Sequence, residues 1–386
     1  MNPIYSALGT TVFERMSGLA RDLNAINLGQ GFPDGNGPPD VVEAAAHALR
    51  HGSNQYPPMA GVPVLRDAVA RHYALHQGLD LSPAEVIVTS GATEALAAAI
   101  FALVSPGDEV VMFPPIYDAY LPLVERAGGV ARFVRLEPPG WRITAEALAA
   151  VGSSKTRLLI LNNPLNPTGS ISSREELALV AEFCVAHDAV VISDEVWEHV
   201  VFDDAQHVAL MTLPGMRERT VKIGSAGKIF SLTGWKVGWM CAAAPIAAVL
   251  AKAHQFLTFT TPPNLQLAAA YGLGKDISYF TTMRRDFEQS RDYLAAGLEA
   301  RGYATLPSKA TYFLSIDLTA SGIAQTDLDF CDSLVRDAGV AAIPVSAFYP
   351  EKPVTSIVRM CFAKSKETLD AALDRMPHLP NRPSTG

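Results

Sequence analysis

Short runs of mainly β-branched and apolar residues alternate along the chain with longer segments that have helical periodicity. The runs are apolar along most of their length, not only at every second position, which is typical of strands buried on both faces of a sheet. The segments between them, such as residues 93–103 and 174–187, are alanine-rich or amphipathic and predict helices. We therefore predict an α/β fold with a mainly parallel sheet covered by helices. The predicted strands are residues 85–90, 109–113, 157–162, 189–194 and 220–225.

The pattern changes after about residue 270. Residues 277–301 predict one long helix, which ends at Gly302. Strands are predicted at residues 311–318 and 357–363, with a helical segment between them. Three parts follow from this division: an N-terminal arm that joins the small domain (1–35), a large sheet domain (36–270), and an interdomain helix with a small α+β domain (271–386).

Composition narrows the class of protein. The 386 residues are 49% hydrophobic, enough for two packed lobes, and the net charge is -8 with no basic stripe, so we expect no nucleic-acid partner. No apolar run approaches the ~18 residues of a membrane span, and the N-terminus lacks a secretion signal. We expect a cytoplasmic protein with reduced cysteines, no zinc cage, and a polar tail that frays from about Pro380.

Polar and glycine residues stand where the predicted strands end. The strand at 85–90 runs into Gly91 at the start of a helix, the strand at 189–194 ends on Asp194, and the strand at 220–225 ends on Ser225, just before Lys228. In open α/β sheets, ligands bind beyond the carboxyl ends of the strands. These groups should therefore share one cleft.

The residue types in this cleft all point to one ligand. Lys228 and Lys236 lie among small and aromatic residues with no acid nearby, and lost hydration favours the neutral amine that a Schiff base requires. Backbone N–H groups of Ala92 and Thr93 at a helix start suit a phosphate, although no Walker A or dinucleotide pattern is present. A buried Asp194 needs a cation, such as a protonated ring nitrogen. Together these requirements describe pyridoxal 5'-phosphate.

Eight further segments of the chain are informative: LGQGFPD (28–34), NQYPPMAGVPVLRDAV (54–69), SGATEA (90–95), PPIYDAY (114–120), NNPLNPTG (162–169), SDEVWEHVVF (193–202), SAGKIFSLTGWKVGW (225–239) and IVRMCFAK (357–364). Together, and in this order, they resemble the class I/II, fold type I PLP-dependent aminotransferases. The resemblance covers nearly the whole chain and is closest to the kynurenine, glutamine and methionine aminotransferases and to bacterial N-succinyldiaminopimelate aminotransferases. It implies a homodimer with shared active sites that acts on amino acids and 2-oxo acids.

The resemblance also implies a role for each matching residue. Lys228 is the implied Schiff-base partner and catalytic base, Asp194 pairs with the ring nitrogen, and Arg359 binds the substrate α-carboxylate. The other implied contacts are Gly91, Ala92, Ser225 and Lys236 at the phosphate, Tyr56 from the other subunit, Tyr117 on the ring, Asn166 at O3′, and Gly31 with Asn166 at the substrate carboxylate. Phe13 and Tyr312 are expected in an apolar substrate pocket.

The chain departs from the family's Asp-Glu-Val-Tyr pattern at Trp197. An indole N–H can donate a hydrogen bond to the cofactor's O3′ but cannot accept one. Trp197 is therefore either a cofactor contact or a packing residue.

Two pairs of histidines stand four residues apart, which is the spacing of two ligands on one helical face. Neither His47/His51 nor His72/His76 has the His-Glu-x-x-His order of a zinc protease. We predict solvated helix faces and no metal site.

Three functions remain after these observations, and aminotransfer is favoured. A carbon–sulfur β-lyase acting on cysteine conjugates shares the fold, Lys228 and Asp194. A non-catalytic regulator would carry a basic DNA-binding domain ahead of the fold, but LGQGFPD already begins at residue 28, which leaves no room for one.

The substrate is predicted from the arginines. Arg359 requires an α-carboxylate, but no second arginine can be placed by motif beside a side-chain carboxylate, and residues 257–266 contain none. Because an unpaired buried carboxylate is costly, we expect methionine, glutamine or aromatic amino acids as donors. N-succinyldiaminopimelate is the alternative, with its distal carboxylate at the cleft mouth.

Overall fold

The computed structural model describes residues 1–380, which form two main sheets surrounded by helices. The tail predicted to fray lies outside the described residues apart from Pro380. Among the described helices, none is long and apolar enough to cross a membrane. The strands are β1 (Ile26–Asn27), β2 (Val86–Ser90), β3 (Glu109–Met112), β4 (Val130–Phe133), β5 (Thr156–Asn162), β6 (Val190–Asp194), β7 (Thr220–Ser225), β8 (Val237–Cys241), β9 (Ala304–Leu306), β10 (Phe313–Asp317), β11 (Val340–Ala341), β12 (Ile343–Pro344) and β13 (Ile357–Cys361).

Helices fill most of the connections between these strands. Short 3₁₀ turns and one π-helical turn, Leu334–Ala338, complete the described secondary structure. The α-helices are α1 (Pro3–Ala7), α2 (Val12–Asp22), α3 (Pro39–His51), α4 (Pro63–Gln77), α5 (Gly91–Leu103), α6 (Tyr120–Arg126), α7 (Ala145–Val151), α8 (Arg174–Ala186), α9 (Ala226–Ile229), α10 (Ala244–Leu257), α11 (Pro263–Leu273), α12 (Ile277–Glu299), α13 (Asp327–Ser333) and α14 (Lys366–Arg375).

The larger sheet has the order β2-β8-β7-β6-β5-β3-β4 and is parallel except at β8. The five predicted strands correspond to β2, β3, β5, β6 and β7, so the predicted α/β class and mainly parallel sheet are confirmed. Two strands of this sheet were not predicted. β4 is an edge strand whose exposure alternates, so it lacks an apolar run, and β8 lies in the glycine-rich segment that follows Lys236.

The second sheet is antiparallel, with the order β12-β13-β10-β9. Helix α12 packs against β9, β10 and α14, and its observed range agrees with the long helix predicted there. β13 carries Arg359, whose neighbours across the sheet are Ser315 and Ile343. The four cysteines are all buried and free, in agreement with the sequence prediction.

The packing of the larger sheet brings polar side chains together at one edge. β6 and β7 are buried along almost their whole length, as the apolar runs predicted. β5, β6 and β7 are parallel and adjacent, and Asn162 at the end of β5 pairs in register with Asp194 at the end of β6. Ser225 ends β7 at the same edge, opposite Gly238 of β8. The strand ends therefore form one side of a common cleft.

Candidate active site

A cavity of about 180 Å³ lies where the ends of β5, β6 and β7 meet the start of α5. The structure brings ten of the predicted site residues together in its lining: Gly91, Ala92, Thr93, Tyr117, Asn166, Asp194, Trp197, Ser225, Lys228 and Lys236. A larger open groove, about 1120 Å³, runs beside α12 and contains none of these residues. The smaller cavity is therefore the candidate site.

Lys228 enters this cavity from the short helix α9. Its Nζ donates to the Tyr312 hydroxyl at 3.3 Å and lies 4.7 Å from the centroid of the Trp197 ring. Burial lowers the pKa of Lys228 to about 8, and the charges of Arg359 and Lys236 act in the same direction, while Asp194 opposes them. A substantial fraction of the amine is therefore neutral near physiological pH, and the neutral amine is the nucleophilic form.

Asp194 ends β6 at the floor of the cavity. Its Oδ2 accepts a 2.6 Å hydrogen bond from the Tyr120 hydroxyl, and its Oδ1 accepts a 3.4 Å bond from the Val196 backbone. Burial raises the pKa of Asp194, and the bond from Tyr120 and the charge of Lys228 counteract that rise. Among the described residues, no cationic side chain forms a salt bridge with this carboxylate. The site can therefore accept a cationic ligand atom here.

The start of α5 forms the opposite end of the cavity. Gly91 has a φ of +70°, which favours glycine, and a Cβ there would lie 3.3 Å from Lys236 Nζ. Gly238 must also lack a side chain, because a Cβ would lie 2.8 Å from the Gly91 carbonyl carbon. The close approach of β8 brings Lys236 beside the N–H groups of Ala92 and Thr93, a combination that suits an anion.

Arg359 lies next to the cavity and is only 1% exposed. Its Nη1 donates to Asn166 Oδ1 at 2.9 Å and its Nη2 donates to the Gly29 carbonyl at 2.7 Å. Its Nε is buried and has no hydrogen-bond partner in the described part of the chain. Burial lowers the pKa of Arg359 to about 10. Among the described residues no carboxylate lies within salt-bridge distance of it. Arg359 is thus a buried cation with hydrogen-bonding capacity to spare, which suits a carboxylate ligand.

Aromatic rings enclose the Arg359 guanidinium. Its central carbon is 4.0 Å from the centroid of Phe313 and 5.3 Å from those of Phe13 and Phe348. Phe13 and Phe348 meet edge to face, with centroids 5.4 Å apart. Phe13, for which an apolar substrate pocket is predicted, lies against Arg359 and Phe348, one layer beyond the cavity lining.

Gly31 and Tyr312 also lie one layer behind the lining. The Tyr312 hydroxyl donates to the Gly31 carbonyl at 2.6 Å, and the tyrosine is 1% exposed. A Cβ on Gly31 would lie 2.7 Å from the Phe313 ring, so glycine is required for this close approach. Trp197 is 2% exposed, and its ring meets that of Tyr312 edge to face with centroids 4.3 Å apart. Trp197 thus both packs in the core and presents its face to Lys228.

Tyr56 is the one predicted residue far from this arrangement. It is 84% exposed and packs edge to face on Phe259, with centroids 5.6 Å apart. Phe256, three residues before Phe259 in the chain, is 85% exposed. Within a single chain, Tyr56 does not contribute to the cavity.

Seven lining residues were not identified from the sequence as site residues: Leu96, Tyr120, Asn162, Val196, Gly227, Thr233 and Val237. Asn162 ends β5 at the position where Asp194 ends β6. It could therefore have been found by the rule that ligands bind beyond the carboxyl ends of parallel strands. Its Oδ1 accepts from the Asn166 backbone at 2.8 Å and fixes the following turn. Tyr120 has a weaker signal, since it is only the third residue after Tyr117 in a predicted site segment.

The prediction of a solvated helix face is wrong for the pair His72/His76. His72 is 3% exposed, and its Nε2 lies 2.7 Å from His199 Nε2. Burial lowers the pKa of His72 to about 3, so the ring is neutral. His76 is partly buried beside both rings, whereas His47 and His51 are exposed as predicted. Helix α4 packs its His72 face against the protein because neighbouring Tyr73 belongs to the core.

A possible metal-binding group lies nearby, behind β6. Ligand atoms of Glu195, Glu198 and His207 lie within 4.8 Å of one another. The ammonium of Lys222 already contacts both carboxylates, at 2.5 Å and 2.6 Å. The lysine thus supplies the cation for this buried cluster, which also explains how a lysine is accommodated inside β7.

Three observations test whether this cavity suits pyridoxal 5'-phosphate. Asp194 forms no salt bridge with a described side chain and can face a ring nitrogen. The N–H groups at the start of α5 with Lys236 can face a phosphate, and Lys228 is a partly deprotonated amine. The glycines at 91 and 238 leave room at the phosphate end. The residues present fit the group.

Comparisons with known proteins agree with this geometry. The chain matches the family "Aminotransferase class I and II" over residues 24–376. It is 45% identical to a "Probable N-succinyldiaminopimelate aminotransferase DapC" of Mycobacterium tuberculosis, over 97% of this chain and 98% of that protein. It is 42% identical to the "Methionine aminotransferase" of Escherichia coli, over 96% of each chain. The solved structure of the M. tuberculosis N-succinyldiaminopimelate aminotransferase has a TM-score of 0.94 at 44% identity, covering 97% of this chain and 98% of that one.

Proposed function

The chain belongs to the class I and II aminotransferases, which are generally PLP-dependent, and we propose that it transfers the α-amino group of uncharged amino acids to 2-oxo acids at the Lys228 cavity. The observation that carries this proposal is the buried Arg359, whose unpartnered Nε and position beside Asn166 suit an α-carboxylate. Aminotransfer itself follows from the family; the substrate class and residue roles are the proposal.

Different residues of the chain would hold the cofactor and move the proton. Bound pyridoxal 5'-phosphate supplies an aldehyde that can carry an amino group and a ring that withdraws electrons. Asp194, kept ionised with help from Tyr120, would hold a protonated ring nitrogen. Lys236 and the start of α5 would hold the phosphate. The Lys228 amine, neutral above a pKa of about 8, would accept the substrate's α-proton.

The proposed preference for substrates with uncharged side chains rests on the charged residues around the cavity. The described residues that line the cavity include two cationic side chains, Lys228 and Lys236, and both have roles in binding the cofactor. Arg359 is needed for the α-carboxylate that all donors share. Asp118 acts electrostatically on Arg359 and adds a negative charge close to it. A second carboxylate on the substrate would lack a cationic partner among the described residues that line the cavity.

Cofactor attachment is the first test. Borohydride treatment of the purified holoenzyme should fix the cofactor's mass on the peptide that contains Lys228. Lys228→Ala should bind the cofactor without that attachment and should not complete turnover, while Lys236→Ala should retain attachment with weaker binding. Attachment at Lys236, or at no lysine, contradicts the assignment.

Substrate class requires a panel of amino donors. Methionine, glutamine, phenylalanine, aspartate and N-succinyldiaminopimelate are compared by kcat/KM with 2-oxoglutarate as acceptor. We expect the first three to exceed aspartate. A strong preference for aspartate would refute the charge argument, and pyruvate released from cysteine conjugates would reveal β-lyase activity.

N-succinyldiaminopimelate remains a second candidate because a relative named for that activity is 45% identical. Its side chain is long enough to carry the distal carboxylate past the cavity to the cleft mouth. A kcat/KM for this donor well above that for methionine would favour it. Arg359 would keep the same role in either case.

The exposed aromatic rings support a homodimer with shared sites. Tyr56 is 84% exposed, and Phe259, which packs against it, and Phe256 are exposed as well, which is costly unless a partner covers these rings. We infer that Tyr56 reaches the site of the other subunit. Mixing inactive Tyr56→Ala and Lys228→Ala proteins should restore activity, because one site of each hybrid receives both native residues. No recovery after verified subunit exchange contradicts the shared site.

A further inference from the structure

Tyr312 joins three parts of the chain that are distant in sequence. Its hydroxyl donates to the Gly31 carbonyl at 2.6 Å and accepts from Lys228 Nζ at 3.3 Å. Tyr312 directly precedes β10, Gly31 lies in the loop after β1, and Lys228 lies in α9. One phenol oxygen therefore links the reactive amine to the loop that follows β1.

The direction of these two bonds matters. Because the Tyr312 hydrogen is directed to the Gly31 carbonyl, its oxygen can only accept from Lys228. One N–H of the lysine is then turned toward Tyr312, and the Trp197 face, 4.7 Å from Nζ, bounds another side. The lone pair of the neutral amine is left to point elsewhere, and the open space beside Lys228 is the cavity.

We propose that Tyr312 is a positioning residue for Lys228, which it holds with the amine lone pair directed into the cavity. This inference rests on the proposed function and adds a role that substrate contact alone would not give. Tyr312 is 1% exposed and is not part of the cavity lining, whereas Lys228 is, so the phenol acts through the lysine.

The reaction that this arrangement favours is condensation of Lys228 with the cofactor aldehyde. The amine nitrogen bonds to the aldehyde carbon, and the aldehyde oxygen leaves as water with the two hydrogens that the neutral amine carried. A lone pair already directed at the aldehyde removes part of the orientational cost. Without the phenol oxygen, the amine can rotate among several orientations.

The test uses the full-length protein, from which the cofactor has been removed, and pyridoxal 5'-phosphate as the probe. The rate of its attachment to Lys228 is measured from pH 6 to 10 by absorbance and by borohydride trapping. Tyr312→Phe removes one oxygen and keeps the ring against Trp197. Tyr349→Phe is the matched control, because the buried hydroxyl of Tyr349 also donates to a backbone carbonyl, that of Leu136, at 2.7 Å. Tyr349 packs in a different hydrophobic cluster from Tyr312.

Two changes are expected in Tyr312→Phe. The plateau rate at high pH should fall about tenfold, which corresponds to the loss of one ordinary hydrogen bond. The pH midpoint, expected near 8 in the wild type, should move lower because the phenol oxygen stabilises the ammonium form more than the amine. Tyr349→Phe should behave as the wild type.

Other results overturn the inference. A wild-type rate and midpoint in Tyr312→Phe would do so, as would equal slowing in both variants. If Tyr312→Phe does not fold by circular dichroism, Tyr312→Met, which keeps apolar volume without a hydroxyl, is judged by the same criteria. Absence of attachment to Lys228 in the wild type would instead refute the proposed function itself.

Discussion

Replacement of Arg359 by methionine should increase stability and abolish recognition of the α-carboxylate. The guanidinium is buried without a carboxylate partner among the described residues, and burial lowers its pKa well below the usual value, to about 10. At 1.36 kcal/mol per pKa unit, this corresponds to about 3 kcal/mol of unfavourable energy in the substrate-free protein. Methionine has a similar apolar length and carries no charge.

Part of this gain is offset by lost hydrogen bonds. Arg359 donates to Asn166 and to the Gly29 carbonyl, and each bond contributes about 1 kcal/mol. We therefore expect the free energy of unfolding to rise by about 1 kcal/mol, in the range known for replacing buried charges by apolar residues. In catalysis, the loss of two charge-assisted hydrogen bonds to the carboxylate should lower kcat/KM about 100-fold.

Two measurements check these signs. Urea denaturation without substrate gives the stability, and kcat/KM is compared for methionine, glutamine, phenylalanine and the decarboxylated analogue of methionine. The kcat/KM values for the three amino acids should fall equally, and the value for the decarboxylated analogue should not fall. Arg291→Met is the control, because Arg291 is paired with Asp203 at 2.9 Å and should only lose stability. A less stable Arg359→Met protein that still discriminates the carboxylate would refute the reasoning.

Three further variants probe the groups behind the site. Without cofactor, the free energy of unfolding of the wild type should rise between about pH 8 and 10.5, because the unfolded state keeps the Lys228 proton that the folded state has lost. Urea titrations of Lys228→Met should not show this rise. Tyr120→Phe should weaken cofactor binding about tenfold in spectroscopic titrations, since Asp194 becomes harder to ionise; unchanged affinity contradicts this. Lys222→Met should cost about 3–5 kcal/mol in urea denaturation, because two buried glutamates lose their cation, and a neutral effect would show that the glutamates take up protons.

The rule that ligands bind at strand ends explains why much of the cavity could be predicted from the sequence. Parallel strands end at one edge, so Asp194 and Ser225 had to lie close together once the strands were assigned. The helix start at Gly91 follows β2 directly, which places its N–H groups at the same edge. These are local signals, fixed by pattern and chain direction.

Contacts between distant segments could not be predicted in the same way. Tyr312 and Gly31 are 281 positions apart, and nothing in either segment indicates their hydrogen bond. His72 shows a related limit, because histidine occurs both on solvated helix faces and in cores, and only the packing of His199 against it decides. Both features depend on how the elements meet, which hydrophobic pattern alone does not determine.

Three charged residues of the site lower the stability of the ligand-free protein. Asp194, Lys228 and Arg359 all have pKa values shifted toward their neutral forms by burial, so each is less favourable in the folded protein than in water. A ring nitrogen, an aldehyde and a carboxylate would each relieve one of these costs. Ligand binding should therefore stabilise the folded chain beyond what contact area alone would give, and the stability forgone in the free protein reappears as affinity and orientation.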